Sequence, residues 1–463
     1  MGLFRRPIAA DGRALPRSAR LVTTASARPA FDEVGMAGRR QTERVDPRRR
    51  PAVEPKDDVL RRERHQPDWS IIVAVVALAA IGILMVYSSS AMRAYVQQDD
   101  TLAIVGPQIL WAALGLIAML VMMRIDYRLL RVVSMPAYIV AVAFLVLVFV
   151  PGLNKVVGGS ARWLAIGGLP AIHPAEIAKL ALIIYLAHWL SSRGTRVGGI
   201  RSGTIPFLLI TLPIVALVFK EPDLGTTTVI AATAFTMFFV AGAGLWQFGA
   251  MAVLGVLVAF AVGLQKYQMT RIRTFLDPWS DPLGTGFHTI QGLLALGLGG
   301  IFGAGLGESK LAGGLYLPNA WNDFIFAIIG EEFGMVGAVT VVALFVVLGY
   351  AGVRTAMRAP DTFGALLATG ITGWLCIQAF INIGVVVALL PVTGITLPFI
   401  SAGGSSLIIS FAAVGILVSI SRETVERTNQ EQDAPADRGR GNGGTYLPGP
   451  RRRGRAAPPI ESA

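Results

Sequence analysis

The sequence predicts an all-α polytopic membrane protein with ten transmembrane helices, a large extracytoplasmic loop between the seventh and eighth, and disordered cytoplasmic tails. Three observations carry that prediction. Of 463 residues, 53% are apolar and only 15% charged, with a mean hydropathy of +0.59, whereas soluble domains carry about 25% charged residues. The apolar residues gather into stretches close to the roughly twenty needed to cross bilayer hydrocarbon. The basic residues behind the formal charge of +12 lie mostly in the two tails and in short loops between those stretches. That distribution marks a cytoplasmic face and argues against nucleic acid as a partner.

Residues 1–69 hold basic runs such as Arg48 to Arg50 and Arg61 to Arg64, with scattered Pro and Asp and little apolar periodicity. They read as a disordered cytoplasmic tail able to touch anionic membrane lipid. No apolar core of a signal peptide occurs in the first thirty residues. The membrane domain, 70–420, divides into spans at 70–91, 102–123, 133–151, 174–191, 204–220, 226–243, 245–263, 324–353, 364–390 and 397–420. With the N-terminus inside, cytoplasmic loops receive Arg124, Arg128 and Arg131, then Arg193, Arg196 and Arg201, then Arg354 and Arg358. The opposite loops are poorer in Lys and Arg, so both termini are expected in the cytoplasm. Residues 421–463, with Gly439 to Gly444 and Arg451 to Arg455, form a second disordered tail. The single cysteine, Cys376, lies in an apolar run, so the chain has neither a disulfide framework nor a cysteine metal site.

The long outer loop, 264–323, is too patterned for a simple connector. Its first part carries Arg271, Arg273, Asp277-Pro278 and Asp281-Pro282; its second, 287–307, is apolar and glycine-rich. A re-entrant or interfacial segment fits 287–307, because an eleventh span would put the basic C-terminus outside.

The loop then runs without a break into YLPNAWNDFIFAIIGEEFG, residues 316–334, where Asp323 stands at the expected membrane entry and Glu331 and Glu332 follow inside the apolar run. A carboxylate at such depth costs about 2.5–3.5 kcal/mol on insertion scales and is generally retained for function. At about 1.5 Å per residue, Glu331 lies roughly 12 Å below Asp323. The three suggest the floor of a cavity open to one side, although Asp323 also suits a helix N-cap. The fourth span opens with HPAEIAKLALII, in which Glu176 and Lys179 share a helix face as a structural pair or a cavity-lining one. Arg162 and Trp163 precede it, Lys220, Glu221 and Asp223 crowd the turn after the fifth span, and the last outer loop, ALLPVTGITLPFISAGGSS, is neutral and rich in small residues suited to close packing. The outer face thus collects the carboxylates Asp323, Asp223, Glu176 and Glu331 and the cations Arg162, Lys179, Lys220, Arg271, Arg273 and Lys310. Such a set suits a substrate with a phosphate to hold and a hydroxyl to deprotonate. No P-loop, HExxH or GxSxG motif is present.

These stretches together resemble the SEDS family of bacterial cell-wall proteins, typified by FtsW and RodA, from about Asp68 to Arg422. The resemblance rests on MVYSSS (85–90), ARWL (161–164), HPAEIAKLALI (173–183), EPDLGT (221–226), RIRTFLDPWSDPLGTGFH (271–288), the 316–334 stretch and INIGVVVALLPVTGITLPFISAGGSS (381–406). It implies a peptidoglycan glycosyltransferase in the bacterial inner membrane that polymerises lipid II, the undecaprenyl-diphosphate-linked disaccharide peptide, on the outer leaflet. Asp323 takes the place of its catalytic carboxylate, Glu176 and Lys179 those of activity-linked cavity residues, and cations would steady the departing diphosphate with or without Mg2+ or Mn2+. The implied partners are a single-span class B penicillin-binding protein and other division or elongation proteins. The long charged tails and the YLP…IIGEE wording favour the division type, acting at the septum. Two departures stand out: Trp321-Asn322 replaces the usual His-Thr, and Gln291-Gly292 the usual Gln-Ser. A lipid II flippase and a non-catalytic scaffold are the rival expectations.

Overall fold

The computed structural model describes residues 66–423 apart from 158–159, 166–170, 252, 254–265, 315 and 318–319. Almost all of both tails, most of the expected seventh span and the Pro318-Asn319 pair therefore lie outside the described residues. The described elements are α1 (Trp69–Gln98), α2 (Val105–Arg124), α3 (Leu129–Leu147), the hairpin β1 (Asn154–Val157) and β2 (Ser160–Leu164), α4 (Pro174–Ser191), α5 (Ile205–Lys220) and α6 (Leu224–Val240). After a helical start at 245–251 come α7 (Lys266–Leu276), α8 (Phe287–Gly299), α9 (Lys310–Gly313), α10 (Ile325–Arg358), α11 (Thr362–Val386) and α12 (Gly404–Ser421).

Among these, 7 helices are long and apolar enough to cross a membrane: α1, α2, α3, α5 with the turn before it, α10, α11 and α12. Shorter or more polar, α4 and α6 fill two further expected positions. The bundle packs as the membrane reading requires. α11 is its hub, touching α4, α6 and α10, while α2 lies on α12, α3 on α4 and α1 on α10. The outward faces stay apolar, as at Val346 (64% exposed) and Leu209 (69% exposed), which is what lipid demands.

Local chemistry sets the helix ends. α4 starts as expected because Pro174 has no N–H to leave unsatisfied in a first turn. α1 starts at Trp69 because the Asp68 carboxylate accepts the Ser70 amide (3.2 Å) and the Arg354 guanidinium joins it from the end of α10. Burial works to raise the pKa of that carboxyl, but Ser70 and Arg354 together hold it below the ordinary carboxylate value.

Two expected boundaries are corrected. α3 begins at Leu129 rather than 133, because Arg131 is accommodated at the bundle end by Asp361, 3.8 Å away. α12 begins at Gly404 rather than 397. Residues 397–403 instead fold as a loop in which Ser401 Oγ accepts the Leu397 amide (2.8 Å) and donates to the carbonyl of Asn322 (2.7 Å).

The segment at 287–307 doubles back within the fold. Its helix, α8, has only 13 residues, and the chain then returns against α10, which is itself broken at Gly334 (φ 64°, ψ −159°). The break leaves main-chain groups of α10 without helical partners, and the returning loop supplies them. Met335 and Val336 donate to the carbonyls of Gly300 (2.9 Å) and Ile301 (3.2 Å), while Ala304 and Gly305 donate to those of Glu331 (2.9 Å) and Glu332 (3.0 Å). Irregular backbone among membrane helices is tolerated where protein satisfies it in this way.

Candidate functional site

Asp323 lies in the turn just before α10, partly exposed. It is not an N-cap: Phe324 holds that position, and no side chain caps the helix. Three hydrogen bonds to successive carbonyls fix the turn instead. Trp321 accepts from the Ala402 amide (3.0 Å), Asn322 from Ser401 Oγ and Asp323 from Asn382 Nδ2 (2.8 Å). The guanidinium of Arg93, on α1, lies 5.2 Å over the Trp321 ring, so the Trp321-Asn322 pair is held from two sides.

The loop 391–397 forms one wall of the site. Gly394 (φ +73°) brings its Cα face close enough that an added Cβ would lie 3.4 Å from Asp323 Oδ2. On its other side the loop meets the first turn of α6, where a Cβ at Gly225 would fall 2.3 Å from Ile395 Cγ1. The wall is also tied down by polar groups. Arg271 Nη1 donates to the carbonyl of Val392 (2.8 Å), Asn382 Nδ2 to that of Ile395 (2.7 Å) and Gln378 Nε2 to that of Thr396 (2.9 Å). A stretch read from sequence as helix packing is therefore part of the site.

Asp223 has two tasks. It caps α6 through the Thr226 amide (3.0 Å) and hydroxyl (2.9 Å), and its Oδ2 faces Arg162 Nη1 (4.0 Å) and His173 Nε2 (3.7 Å). Arg162, on β2, clamps the same turn by donating to the carbonyls of Glu221 (3.2 Å) and Pro222 (2.6 Å). Burial, then the charge of Asp223, pushes the Glu221 carboxyl up to about 8 against the opposing pull of Arg162, so it stays protonated at neutral pH. Burial also lowers the pKa of His173, although Glu176 and Asp223 draw it upward.

Burial, and next the charge of Asp223, raises the Asp323 carboxyl to about 6, while Arg162 and Arg271 oppose the shift. The structure thus brings Asp323, Asp223, Arg162 and Arg271 together. The other expected cations lie outside that group. Lys220 is exposed and sits 5.1 Å over the Phe149 ring, and the side chains of Arg273 and Lys310 are exposed.

Glu331 is corrected from a substrate-facing role. It is 1% exposed, and both of its oxygens are engaged, by Ser309 Oγ (2.6 Å) and by the amides of Lys310 (2.8 Å) and Leu311 (3.4 Å). Glu332, equally buried, takes the Ser88 hydroxyl from α1 on Oε1. Glu331 thus pins the outer loop to α10 and Glu332 ties α10 to α1, and both are buried against protein rather than lining the floor of a cavity. Glu176 and Lys179 form a pair at 2.8 Å, 6% and 3% exposed, with Ser406 Oγ donating to Glu176 (3.1 Å) and Lys179 donating to Gln378 Oε1 (2.8 Å). They lie behind the wall rather than on it.

Sequence reasoning passed over Gln378, Asn382 and His173. The signal for the first two was available: two amides one helical turn apart in an otherwise apolar span are expensive there unless they have work to do. Among the described residues no three His, Cys, Asp or Glu side chains are grouped closely enough to hold a metal ion.

The fold and site define a multi-span helical membrane protein with a partly exposed carboxyl group, Asp323, that feels the charges of Arg162 and Arg271. The family model described as "Cell cycle protein", for FtsW, RodA and SpoVE, matches residues 68–426, and the chain belongs to that family. It is 42% identical over 363 residues to stage V sporulation protein E of Bacillus subtilis, covering 78% of this chain and 98% of that one. It is 41% identical over 361 residues to a probable peptidoglycan glycosyltransferase FtsW of Geobacter metallireducens, covering 78% and 96%. Among solved structures, a chain of a peptidoglycan synthase complex that coordinates polymerization and crosslinking superposes with a TM-score of 0.64 at 30% identity, covering 77% and 98%. The rod-shape-determining protein RodA of Thermus thermophilus superposes at 0.57 with 26% identity, covering 78% and 98%.

Proposed function

We propose that this chain is a peptidoglycan glycosyltransferase that polymerises lipid II at the outer face of the bacterial inner membrane, with Asp323 as general base. The observation that carries the reading is Asp323 itself. It is a partly exposed carboxyl, raised to about 6, in a turn fixed by hydrogen bonds to its main chain and under the charges of Arg162 and Arg271. A base works best with a pKa near the operating pH. Asp323 takes the proton of the acceptor sugar's 4-hydroxyl as that oxygen attacks the anomeric carbon of the donor. The bond to undecaprenyl diphosphate breaks, its electron pair leaves on the diphosphate oxygen, and inversion converts an α-linked donor into a β-linked glycan. Arg162 and Arg271 supply positive charge beside the departing diphosphate.

The related complex, which coordinates polymerization and crosslinking, supports a crosslinking transpeptidase of the class B penicillin-binding type as partner, the FtsW relatives support a role in division, and the Lys and Arg content of the loops supports both termini in the cytoplasm. The reading is tested by incubating the purified protein, with its cognate transpeptidase, with labelled lipid II. Glycan chains are expected. Translocation of lipid II across vesicles without polymer would favour a flippase, and neither activity a scaffold.

The electrostatics carry a sign that can be measured. The base must be ionised, so the rate constant is expected to fall as pH drops through about 6 and to level off above it. Asp223→Asn removes a negative charge that raises Asp323 and leaves the charge of Arg162 less compensated. Both effects lower the Asp323 pKa, so the acid limb is expected to move to lower pH. A limb that stays in place or rises would remove Asp223 from the control of Asp323.

A further inference from the structure

Two amides of α11, Gln378 and Asn382, stand four residues apart, 1% and 2% exposed. Both reach the wall beside Asp323. Asn382 uses its single NH2 group as a staple between two chain segments, donating to the carbonyl of Asp323 at 2.8 Å and to that of Ile395 at 2.7 Å. No described donor reaches its Oδ1, so all its hydrogen bonding to the described protein goes into the staple. Gln378 stands one turn away. Its Nε2 holds the carbonyl of Thr396, and its Oε1 accepts from Lys179 Nζ at 2.8 Å and from Trp374 Nε1 at 2.7 Å. Lys179 also lies 4.9 Å over the Trp374 ring. With two cationic or N–H donors on its oxygen, the Gln378 amide has one orientation open to it, with the NH2 group toward Thr396.

We propose that Gln378 and Asn382 are positioning residues for Asp323, and that the Glu176–Lys179 pair acts on the reaction only through Gln378. The chain of contacts is continuous. Glu176 holds Lys179, Lys179 orients Gln378, and Gln378 fixes Thr396 next to Ile395, which Asn382 ties to Asp323. Gly394, in the same loop, sets the distance of the wall from the carboxylate. Displacing a catalytic group by about 1 Å costs on the order of a hundredfold in rate. A buried ion pair that touches no substrate can therefore still be needed for turnover. This inference rests on the reading of Asp323 as general base.

The test is a mutant cycle in lipid II polymerisation by the complex with its transpeptidase, with kcat and KM measured separately. Three variants are compared: Gln378→Met; the neutral replacement Glu176→Gln with Lys179→Met, which leaves no unpaired buried charge; and the two combined. Each of the first two is expected to lower kcat about tenfold or more at little change in KM, and the combination to fall within about twofold of the worse one. Multiplied losses, or a rise in KM for lipid II with the pair replacement, would place Glu176 and Lys179 on the substrate and overturn the relay. Gln378→Glu guards against a folding artefact. With Lys179 holding it ionised, it keeps an acceptor for Lys179 and Trp374 but loses the donor to Thr396, so it is expected to lose kcat while remaining folded, as checked by a cooperative thermal transition in detergent. Full activity of Gln378→Glu, or of Asn382→Leu, would also overturn the proposal. Wild-type and Asp323→Ala controls separate the two readings: an inactive wild type removes the general-base reading together with this one, whereas an active wild type with an additive cycle removes the relay alone.

Discussion

Asp323→Ala is expected to reduce lipid II polymerisation by about 10²- to 10⁴-fold, the usual contribution of a positioned general base. The protein should remain folded. The Asp323 side chain caps no helix, and the bonds that fix its turn run through the carbonyls of residues 321 to 323, which the substitution leaves in place. Asp323→Glu keeps the charge but moves it by one methylene in a site whose wall is close, a Cβ on Gly394 already lying 3.4 Å from Asp323 Oδ2, so it too is expected to lose most activity. Rates are compared at matched thermal unfolding midpoints in detergent. Equal glycan from wild type and Asp323→Ala would remove Asp323 from the chemistry.

The second large effect is expected in folding. Gly303→Ala would place a Cβ 2.1 Å from the carbonyl oxygen of Glu332 and 2.7 Å from the amide of Gly334, at a residue with φ +84°. The left-handed conformation costs a side chain roughly 1–2 kcal/mol. Overpacking against backbone adds about 1–3 kcal/mol. Together they strike where the returning loop satisfies the break in α10. The expected result is a marked fall in thermal midpoint and in yield of folded protein, with activity lost in proportion. Gly307→Ala separates the two causes. Gly307 also has positive φ (+80°) but nothing within 4 Å of a Cβ, so it is expected to show the conformational cost alone. Similar losses in both variants would mean that the close approach of the loop to α10 contributes little.

Much of this protein is legible along the chain because the membrane leaves few choices. Apolar runs of sufficient length predicted the helices, and Pro174 and the EPDLGT turn predicted two of their ends. Asp323 stood out because an ionised group at the edge of hydrocarbon is expensive. The same reasoning treated every carboxylate and cation near it alike, and there it went astray. Glu331 and Glu332 are as costly as Asp323, yet Glu331 is spent on Ser309 and the Lys310 amide of the outer loop and Glu332 on Ser88 of α1. Lys220 lies beside the EPDLGT motif but faces the Phe149 ring.

Composition, apolar run length and the order of motifs were enough for the membrane class, the helix positions and the family, since each depends on local hydrophobicity or on short contiguous residues. The division of labour among the buried polar groups required tertiary structure. Which carboxylate is pinned and which is left partly exposed depends on donors far away in sequence: Ser309 for Glu331, and Asn382 and Ser401 for the turn that presents Asp323. Hydrogen bonds between distant segments leave no periodicity in the chain, so the neutral loop at 391–397 became the wall beside Asp323 only once α6, α10 and α11 were packed around it.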